Sequence, residues 1–471
     1  MKVQAIPVII LILYIIGMFS IGFLVNKFFI KSSTDYMIAG RSMGVLMVAC
    51  SLSANNVGGG STTGVAAKAF SGWGLSAAWY VLAAAVAMIP LSYFAPKIRK
   101  TMALTIPEVI GRRFGLKAST FAAVLNVLSL ICLTSSQIFA SAVVVSSITG
   151  IPQNICLLIS ASVIAIYTSM GGMMADGIAD IMQFFVILFG LLISVPFILE
   201  GIGGIEEISN NLPPVELDFF KIGIPAILSL IFNYFCTFLS GPEIVSRFSG
   251  SENESSSRKA SLLAAVMMTV MAFLPTVIGL CALAENPMLD NGEGTSAMMW
   301  VTSKYAPSAI TGLISAAIVA ATMSSADSNL LSASTILIND LYKVYVDKKL
   351  EDKKIIYITR ISNIIICIIS TLIAILSIPI VTLNLFAFAL RSAGPFAAYA
   401  LGLTIEKATK NAGIVSMIVG SIAVIIWQIL DGPFGILPIV FGCFAGVISF
   451  LLVIKIEIKK GVKPAPSAYK N

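Results

Sequence analysis

The sequence predicts an all-α polytopic membrane protein whose chain crosses the bilayer about thirteen times. Hydrophobic residues make up 58% of the 471 residues, and only 11% are charged. A soluble domain needs far more charge to cover its surface, whereas a helix of about 20 apolar residues spans a bilayer. We therefore expect residues 1–471 to form a single membrane domain in contact with lipid.

Each predicted span is an apolar run of about 20 residues. The runs cover residues 6–26, 42–66, 74–96, 119–148, 152–171, 179–199, 222–246, 260–284, 298–338, 355–380, 382–404, 412–430 and 433–456. The run 298–338 is too long for one crossing, so we expect a surface helix over 298–306 before the true span.

Lys and Arg are distributed unequally between the two sides of the predicted membrane. With the N-terminus outside, most of the 30 basic residues, Arg247 among them, fall in inner loops, which is the side that the positive-inside rule expects. The sequence thus predicts a multi-pass protein of the cell inner (plasma) membrane with a cytoplasmic C-terminus. The net charge of +7 reflects this topology, and no nucleic-acid partner is expected.

The ninth span carries hydroxyl groups and a carboxylate in its middle. One helical face holds positions i, i+3, i+4 and i+7, which are Ala321, Ser324, Ser325 and Ser328. Asp327 borders that face. The chain has no His, and a row of hard oxygen atoms without His suits a small hard cation. The alternative is that these hydroxyl groups pack helices together.

Three consecutive glycines interrupt the second span at 58–60, and Asn55, Asn56 and Ser61 flank them. Glycines in series break a helix, and broken backbone at this depth is tolerated only where it is buried or lines a cavity. Such breaks bind ions and substrates in transporters. The alternative is a close helix crossing with glycines at the contact.

The seventh span is interrupted in a similar way by Pro242, with the polar residues Asn233 and Tyr234 before it. Matching interruptions in two halves of a chain predict an inverted repeat with the binding site between the halves. The first repeat would be 42–199 (spans 2–6) and the second 222–404 (spans 7–11). Hydrogen bonding between helices is the alternative role for the two polar residues.

Two carboxylates precede the apolar part of the sixth span. Asp176 is expected to stabilise a helix start through the helix dipole. Asp180 lies nearer the apolar run, with Gln183 one turn further on. Asp180 is therefore placed to reach a cation.

Three segments together resemble the sodium:solute symporter family. GGMMADGIADIMQ resembles its G-G-x-x-A-x-x-x-T-D-x-x-Q signature, AATMSSADSNLL its A-A-x-M-S-[ST]-x-x-S segment, and SGPEIVSRF its G-P/Q-x-x-x-x-R-F loop. The similarity runs from about Asp35 to Thr404. It implies a LeuT-like core of 5+5 inverted helices made by spans 2–11, with peripheral helices at 6–26 and 412–456. It also implies that sodium entry drives uptake of a small organic solute, such as an amino acid, sugar, vitamin or carboxylate, by alternating access.

The resemblance implies one sodium site and, as in some members, a second. The first site uses the carbonyls of Ala54, Val57 and Ala321 and the hydroxyls of Ser324 and Ser325. The second uses Asp180, Ser324, Asp327 and Ser328. Ala179 replaces the usual Thr, and Asp327 stands where two-sodium relatives have Ser. The resemblance therefore leaves the number of sodium ions per transport cycle open between one and two.

Depth and polarity indicate which residues contact the solute. They are Asn55, Asn56, Ser61, Gln137, Asn233 and Tyr234. Arg391 is an embedded cation that either meets an anionic group of the solute or pairs with a carboxylate or backbone carbonyls. The sequence does not identify the solute, and the functional unit is expected to be a monomer.

Other classes of membrane protein are less well supported by the sequence. A sodium-permeable channel tends to show repeated pore rings, and a transporter-like sensor carries appended soluble domains; neither pattern is visible. An intramembrane enzyme would need a base, and neither His nor a Ser–Lys dyad at matched depth supplies one. No catalytic residues are therefore expected.

Overall fold

The computed structural model describes residues 5–289, 297–430 and 436–469, and the described chain is built from helices. The α-helices of the first half are α1 Ala5–Phe28, α2 Ser33–Ile38, α3 Val45–Asn56, α4 Val65–Lys68, α5 Trp79–Lys100, α6 Ile106–Phe114, α7 Leu116–Thr149, α8 Gln153–Ile202 and α9 Gly204–Asn211. Each long helix coincides with one or two of the predicted spans.

The second half of the chain continues in the same way. Its α-helices are α10 Ile224–Leu239, α11 Pro242–Gly250, α12 Glu254–Met271, α13 Phe273–Glu285, α14 Ala297–Tyr305, α15 Ser308–Ile336, α16 Lys343–Tyr345, α17 Asp352–Ala374, α18 Ile380–Ser392, α19 Pro395–Thr404, α20 Lys410–Ile429 and α21 Pro438–Lys459. α14 corresponds to the surface helix predicted over 298–306. The first residues of the predicted span 433–456 lie outside the described residues.

The described helices include nine that are long and apolar enough to cross a membrane, or eleven if each of two bent pairs is one span. The predicted fold class is therefore confirmed. α8 has 50 residues, which is about 75 Å of helix and more than twice the hydrocarbon thickness of a bilayer. The number thirteen stays a prediction, because it depends on how such long and broken helices cross the membrane.

α8 joins the two spans predicted at 152–171 and 179–199, and its geometry breaks at Gly172. This residue has φ 56° and ψ −163°, a conformation that is almost restricted to glycine. A Cβ atom here would lie 2.6 Å from the carbonyl oxygen of Tyr36. Glycine therefore provides both the turn and the close contact with α2.

At two other breaks, the helix that follows has a proline in its first turn. α10 and α11 meet at an angle of 55°, and α18 and α19 meet at 52°. Pro242 and Pro395 stand at the starts of α11 and α19, where the missing N–H costs no helical hydrogen bond. The interruption predicted at Pro242 is confirmed.

α15 lies in the centre of the helix assembly, where it packs against α1, α7 and α8. Its side chains from Ile314 to Ile336 are all buried. By contrast, Leu13 of α1, Ile422 of α20 and Leu452 of α21 are more than half exposed. Apolar side chains on outer helices suit a lipid environment, so the polar residues of α15 are enclosed by protein.

Candidate ion and solute site

The second predicted span is a broken helix. α3 ends at Asn56, and Val57 follows with the non-helical angles φ −88° and ψ 53°. A short π-helical turn, Gly60–Gly64, then leads into α4. The carbonyls at the end of a helix have no partners in the next turn, so the break leaves backbone oxygen atoms available in the middle of the protein.

Gly58 allows α3 to approach α15 and α7 closely. A Cβ atom at Gly58 would overlap Ser325 Oγ and would lie 2.7 Å from Gln137 Oε1. The backbone N–H of Gly59 donates to the same Gln137 oxygen over 2.7 Å. The glycine run therefore serves close contact with two polar side chains as well as backbone freedom.

Oxygen atoms converge where the broken helix meets α15. Ser325 Oγ is 2.7 Å from the carbonyl oxygen of Asn55 and 3.1 Å from that of Ala321, and its hydroxyl donates in this direction. The carbonyls of Ala54 and Val57 accept no backbone hydrogen bond from the residues that the structure describes. Neutral carbonyl and hydroxyl oxygens of this kind are suitable ligands for a hard monovalent cation.

Carboxylates do not dominate this cluster. Among residues 5–289, 297–430 and 436–469, no group of three or more His, Cys, Asp or Glu side chains is arranged to hold a metal ion. Ser324 lies beside Ser325, but its hydroxyl donates to Asp180 Oδ1. Of the predicted first-site residues, Ser325 contacts Ala321 and the end of α3, while Ser324 is directed to Asp180, a residue predicted for a second site.

The residues predicted for a second site surround a buried arginine. The Arg247 Nη2 atom lies 2.8 Å from Asp176 Oδ2 and 3.4 Å from Asp180 Oδ2. It also donates to Ser328 Oγ, and the Nε atom donates to Ser51 Oγ over 2.6 Å. Ser51 donates to Asp180 in turn. We call Ser51, Asp176, Asp180, Arg247, Asp327 and Ser328 the charged cluster.

The sequence-based placement of one member of this cluster is wrong. Arg247 was expected in an inner loop with other basic residues, but it lies in α11 and its side chain is fully buried. Asp176 is predicted to stabilise a helix start, and it lies four residues after the Gly172 break in α8, where its carboxylate also pairs with Arg247. An arginine five residues after the helix-breaking Pro242 is the signal that could have indicated burial.

Asp327 borders the cluster with one oxygen free. Its Oδ1 atom accepts the backbone N–H of Ser328 over 2.8 Å. Its Oδ2 atom is buried and has no hydrogen-bond partner among the described residues. Asp176 and Asp180 pair with the Arg247 guanidinium and Asp327 lies near it, so these three carboxylates exceed the one arginine by two charges when all of these groups are ionised.

A central cavity of about 40 Å³ lies next to the oxygen cluster. Its lining residues are Asn55, Asn56, Gly58, Gly60, Ser61, Tyr80, Leu133, Gln137, Tyr234, Glu243, Ser325, Asn329, Asn384, Phe388 and Arg391. All of the predicted solute contacts except Asn233 belong to this set. Because a volume of this size holds only a few water molecules, a solute must displace lining side chains.

Asn233 lies apart from the central cavity. It lines a larger cavity of about 670 Å³, whose wall includes Ile373, Leu437 and Gln428. Its side-chain amide is buried and forms no hydrogen bond with the described residues. Successive helical residues point about 100° apart, so Tyr234 faces the central cavity while its neighbour faces the other one.

The sequence analysis also missed four polar residues of the central cavity, which are Tyr80, Glu243, Asn329 and Asn384. Asn384 accepts a hydrogen bond from Ser136 over 2.6 Å, and Asn329 follows Ser325 by one helical turn. Isolated amides within apolar spans were the available signal. Their distance from the glycine run along the chain hid the contact.

Arg391 pairs with a carboxylate, which was one of its two predicted roles. Its Nη1 atom donates to Glu243 Oε2 over 2.6 Å, and both side chains are buried. Both residues line the central cavity. The pair joins the start of α11 to the end of α18, so it fastens the two bent helices together beside the cavity.

The fold and site define a helical membrane transporter with a binding site at broken helices. The sodium:solute symporter family matches residues 36–420. The chain therefore belongs to this family. It is a multi-pass plasma-membrane protein that couples solute transport to sodium by symport; it is a transporter and not an enzyme, and the channel or sensor alternative is not favoured.

Characterised relatives cover most of the chain. It is 29% identical over 412 residues to the high-affinity proline transporter PutP of Bacillus subtilis (strain 168), covering 84% of this chain and 86% of that protein. It is 25% identical to the sodium/proline symporter of Escherichia coli (strain K12), covering 93% of this chain and 91% of that protein.

Among solved structures, a substrate-bound outward-open Na+-coupled sialic acid symporter is similar with a TM-score of 0.83. The two sequences are 21% identical, and the match covers 98% of this chain and 99% of that one. Mhp1, a nucleobase-cation-symport-1 family transporter, is similar with a TM-score of 0.60 and 14% identity. These likenesses support the predicted fold.

Proposed function

We propose that sodium is bound where the broken second span meets α15, with the small organic solute in the central cavity beside it. The ligands would be the carbonyls of Ala54, Val57 and Ala321 and the hydroxyls of Ser324 and Ser325. One observation carries this proposal: Ser325 contacts the break through the Asn55 carbonyl and also lines the central cavity. Sodium bound there would influence solute binding directly.

Coupled transport would depend on Ser325, the residue that the sodium site and the central cavity share. Sodium ties the break to α15 and favours the conformation in which the solute binds from outside. Rearrangement of the helices then opens the inner side, where low sodium favours release. The electrical part of the gradient contributes about 2.3 kcal/mol for each charge that moves inward across 100 mV.

The charged cluster extends this proposal to a second cation. Asp180, Ser324, Asp327 and Ser328 are the residues that we propose for it. The excess of carboxylates over Arg247 supports a second sodium, because buried negative charge is unfavourable without a counter-ion. An Asp180→Asn change should then alter the Hill coefficient for sodium.

We further propose the topology and assembly that the sequence predicts. The N-terminus would lie outside and the C-terminus in the cytoplasm. The repeats 42–199 and 222–404 would be related by inverted symmetry, which the broken helices at Asn56 and Pro242 support. A monomer would be sufficient for transport, because ion and solute residues are contributed by one chain.

The test of the first site is Ser324→Ala combined with Ser325→Ala in proteoliposomes. We expect the half-saturating sodium concentration for uptake to rise at least about tenfold, as loss of metal-site partners commonly causes. Ser334→Ala is the matched control, since Ser334 is a buried hydroxyl on the same helix that bonds to the Leu330 carbonyl. Unchanged sodium dependence in the double variant would exclude this site.

A further inference from the structure

Arg391 uses only part of its guanidinium in the ion pair with Glu243. The Nη1 atom donates to the carboxylate, while Nε and Nη2 have no hydrogen-bond partner among the described residues. The side chain is fully buried. Nε and Nη2 form the edge of a guanidinium that presents two parallel N–H groups, which is the geometry for two-point binding of a carboxylate.

The surroundings hold the guanidinium of Arg391 in place beside the central cavity. Glu243 fixes one side of the guanidinium, and the Phe388 ring lies beneath it, with Arg391 Cζ 5.2 Å from the ring centroid. A Cβ atom at Gly241 would lie 3.0 Å from Nη2. The lack of a side chain at Gly241 therefore leaves room for this nitrogen. Arg391, Glu243 and Phe388 all line the cavity.

Charge balance indicates the kind of ligand that this edge accepts. The Arg391–Glu243 pair is neutral, and sodium beside Ser325 adds one positive charge to the same cavity. The carboxylate end of an acid, or of a zwitterionic amino acid, would be attracted to the sodium and to the guanidinium edge, and attraction between opposite charges is strong inside a protein. A solute without an acceptor group for this edge would leave the buried N–H groups of Arg391 without a partner.

We propose that Arg391 binds a carboxylate group of the transported solute through Nε and Nη2, and that Glu243 positions the guanidinium. The substrates are then small carboxylic acids, either α-amino acids or acids without an amino group. This inference rests on the proposed sodium-coupled site and adds the substrate class. The cavity amides of Asn329 and Asn384 are available for the remaining polar groups of the solute.

The experiment compares acids with their uncharged or amidated counterparts on the full-length protein in detergent with sodium. The pairs are L-proline and L-prolinamide, L-alanine and L-alaninamide, and lactate and lactamide, each titrated in a thermal-shift assay. We expect an acid to act at a concentration at least about tenfold lower than its amide, the minimum for a charge-assisted two-point contact. Preference for lactate over the amino acids identifies an acid without an amino group.

Arg391→Gln should reduce this acid preference to about threefold or less, and Arg391→Lys should retain an intermediate preference because it keeps the charge without the fork. Combining Arg391→Gln with Glu243→Gln avoids an unpaired buried carboxylate if the single variant is unstable. Arg113→Gln is the control, since Arg113 is buried but bonds to the Glu406 and Pro466 carbonyls away from the cavity.

Sodium-induced stabilisation without solute tests the proposed function separately. It should persist in Arg391→Gln, which also shows that the variant is folded. Absence of any sodium effect in the wild-type protein would contradict the sodium site, whereas acid preference would still support the role of Arg391. An acid preference that Arg391→Gln leaves intact, or equal binding of acid and amide by the wild type, would overturn the inference.

Discussion

At the scale of single residues, Ser325 connects the proposed ion and solute sites. Its hydroxyl reaches the Asn55 carbonyl across the break, and its side chain lines the central cavity. Helical periodicity placed Ser325 on a polar face, so its importance was predictable from the sequence. The sequence did not predict that a glycine is needed at position 58, opposite Ser325. This need depends on the distance between two helices that are far apart in the chain.

Gly58→Ala should therefore impair sodium-dependent uptake. The added methyl group would overlap Ser325 Oγ and would lie 3.0 Å from Ser325 Cβ, which must separate the break from α15. We expect the half-saturating sodium concentration to rise about tenfold or more, measured by uptake in proteoliposomes. Gly17→Ala is the control, since nothing lies within 4 Å of its added Cβ. Equal effects of the two changes would contradict the close-contact role.

At the scale of helices, sequence patterns predicted where elements break better than where they point. Glycine and proline act locally, so the interruptions at 58–60 and at Pro242 were visible. The direction of Asn233 depends on how α10 is rotated against its neighbours, and burial of Arg247 depends on carboxylates from α8. Packing between distant helices determines both, and periodicity in a single helix does not reveal it.

Gly172→Ala should destabilise the protein at the break within α8. The backbone conformation costs about 1–3 kcal/mol for a residue other than glycine, and the new Cβ would also contact Tyr36. Gly115 adopts a similar conformation, with φ 97° and ψ 172°, but nothing lies within 4 Å of its Cβ. Thermal unfolding in detergent should show a larger loss for Gly172→Ala than for Gly115→Ala; a reversed order would contradict this view of the break.

At the scale of the whole molecule, the charged cluster joins helices from both predicted repeats. Arg247 of α11 contacts Ser51 of α3, Asp176 of α8 and Ser328 of α15. The family resemblance supplied Asp180 and Ser328, but the complete network could be recognised only in three dimensions. Because these helices also form the sodium and solute sites, the cluster supports the architecture on which coupling depends.

Arg247→Gln should lower the free energy of unfolding by about 3–5 kcal/mol, because it leaves buried carboxylates without their counter-charge. Adding Asp176→Asn should recover part of this loss by removing one of those charges. Chemical or thermal unfolding in detergent measures both effects. Arg360→Gln is the control, since Arg360 is partly buried and bonds to Asn26 over 2.9 Å, a contact worth about 1 kcal/mol. If Asp176→Asn added further destabilisation to Arg247→Gln, Asp176 would stabilise the fold through other contacts, and charge compensation would not explain the cluster.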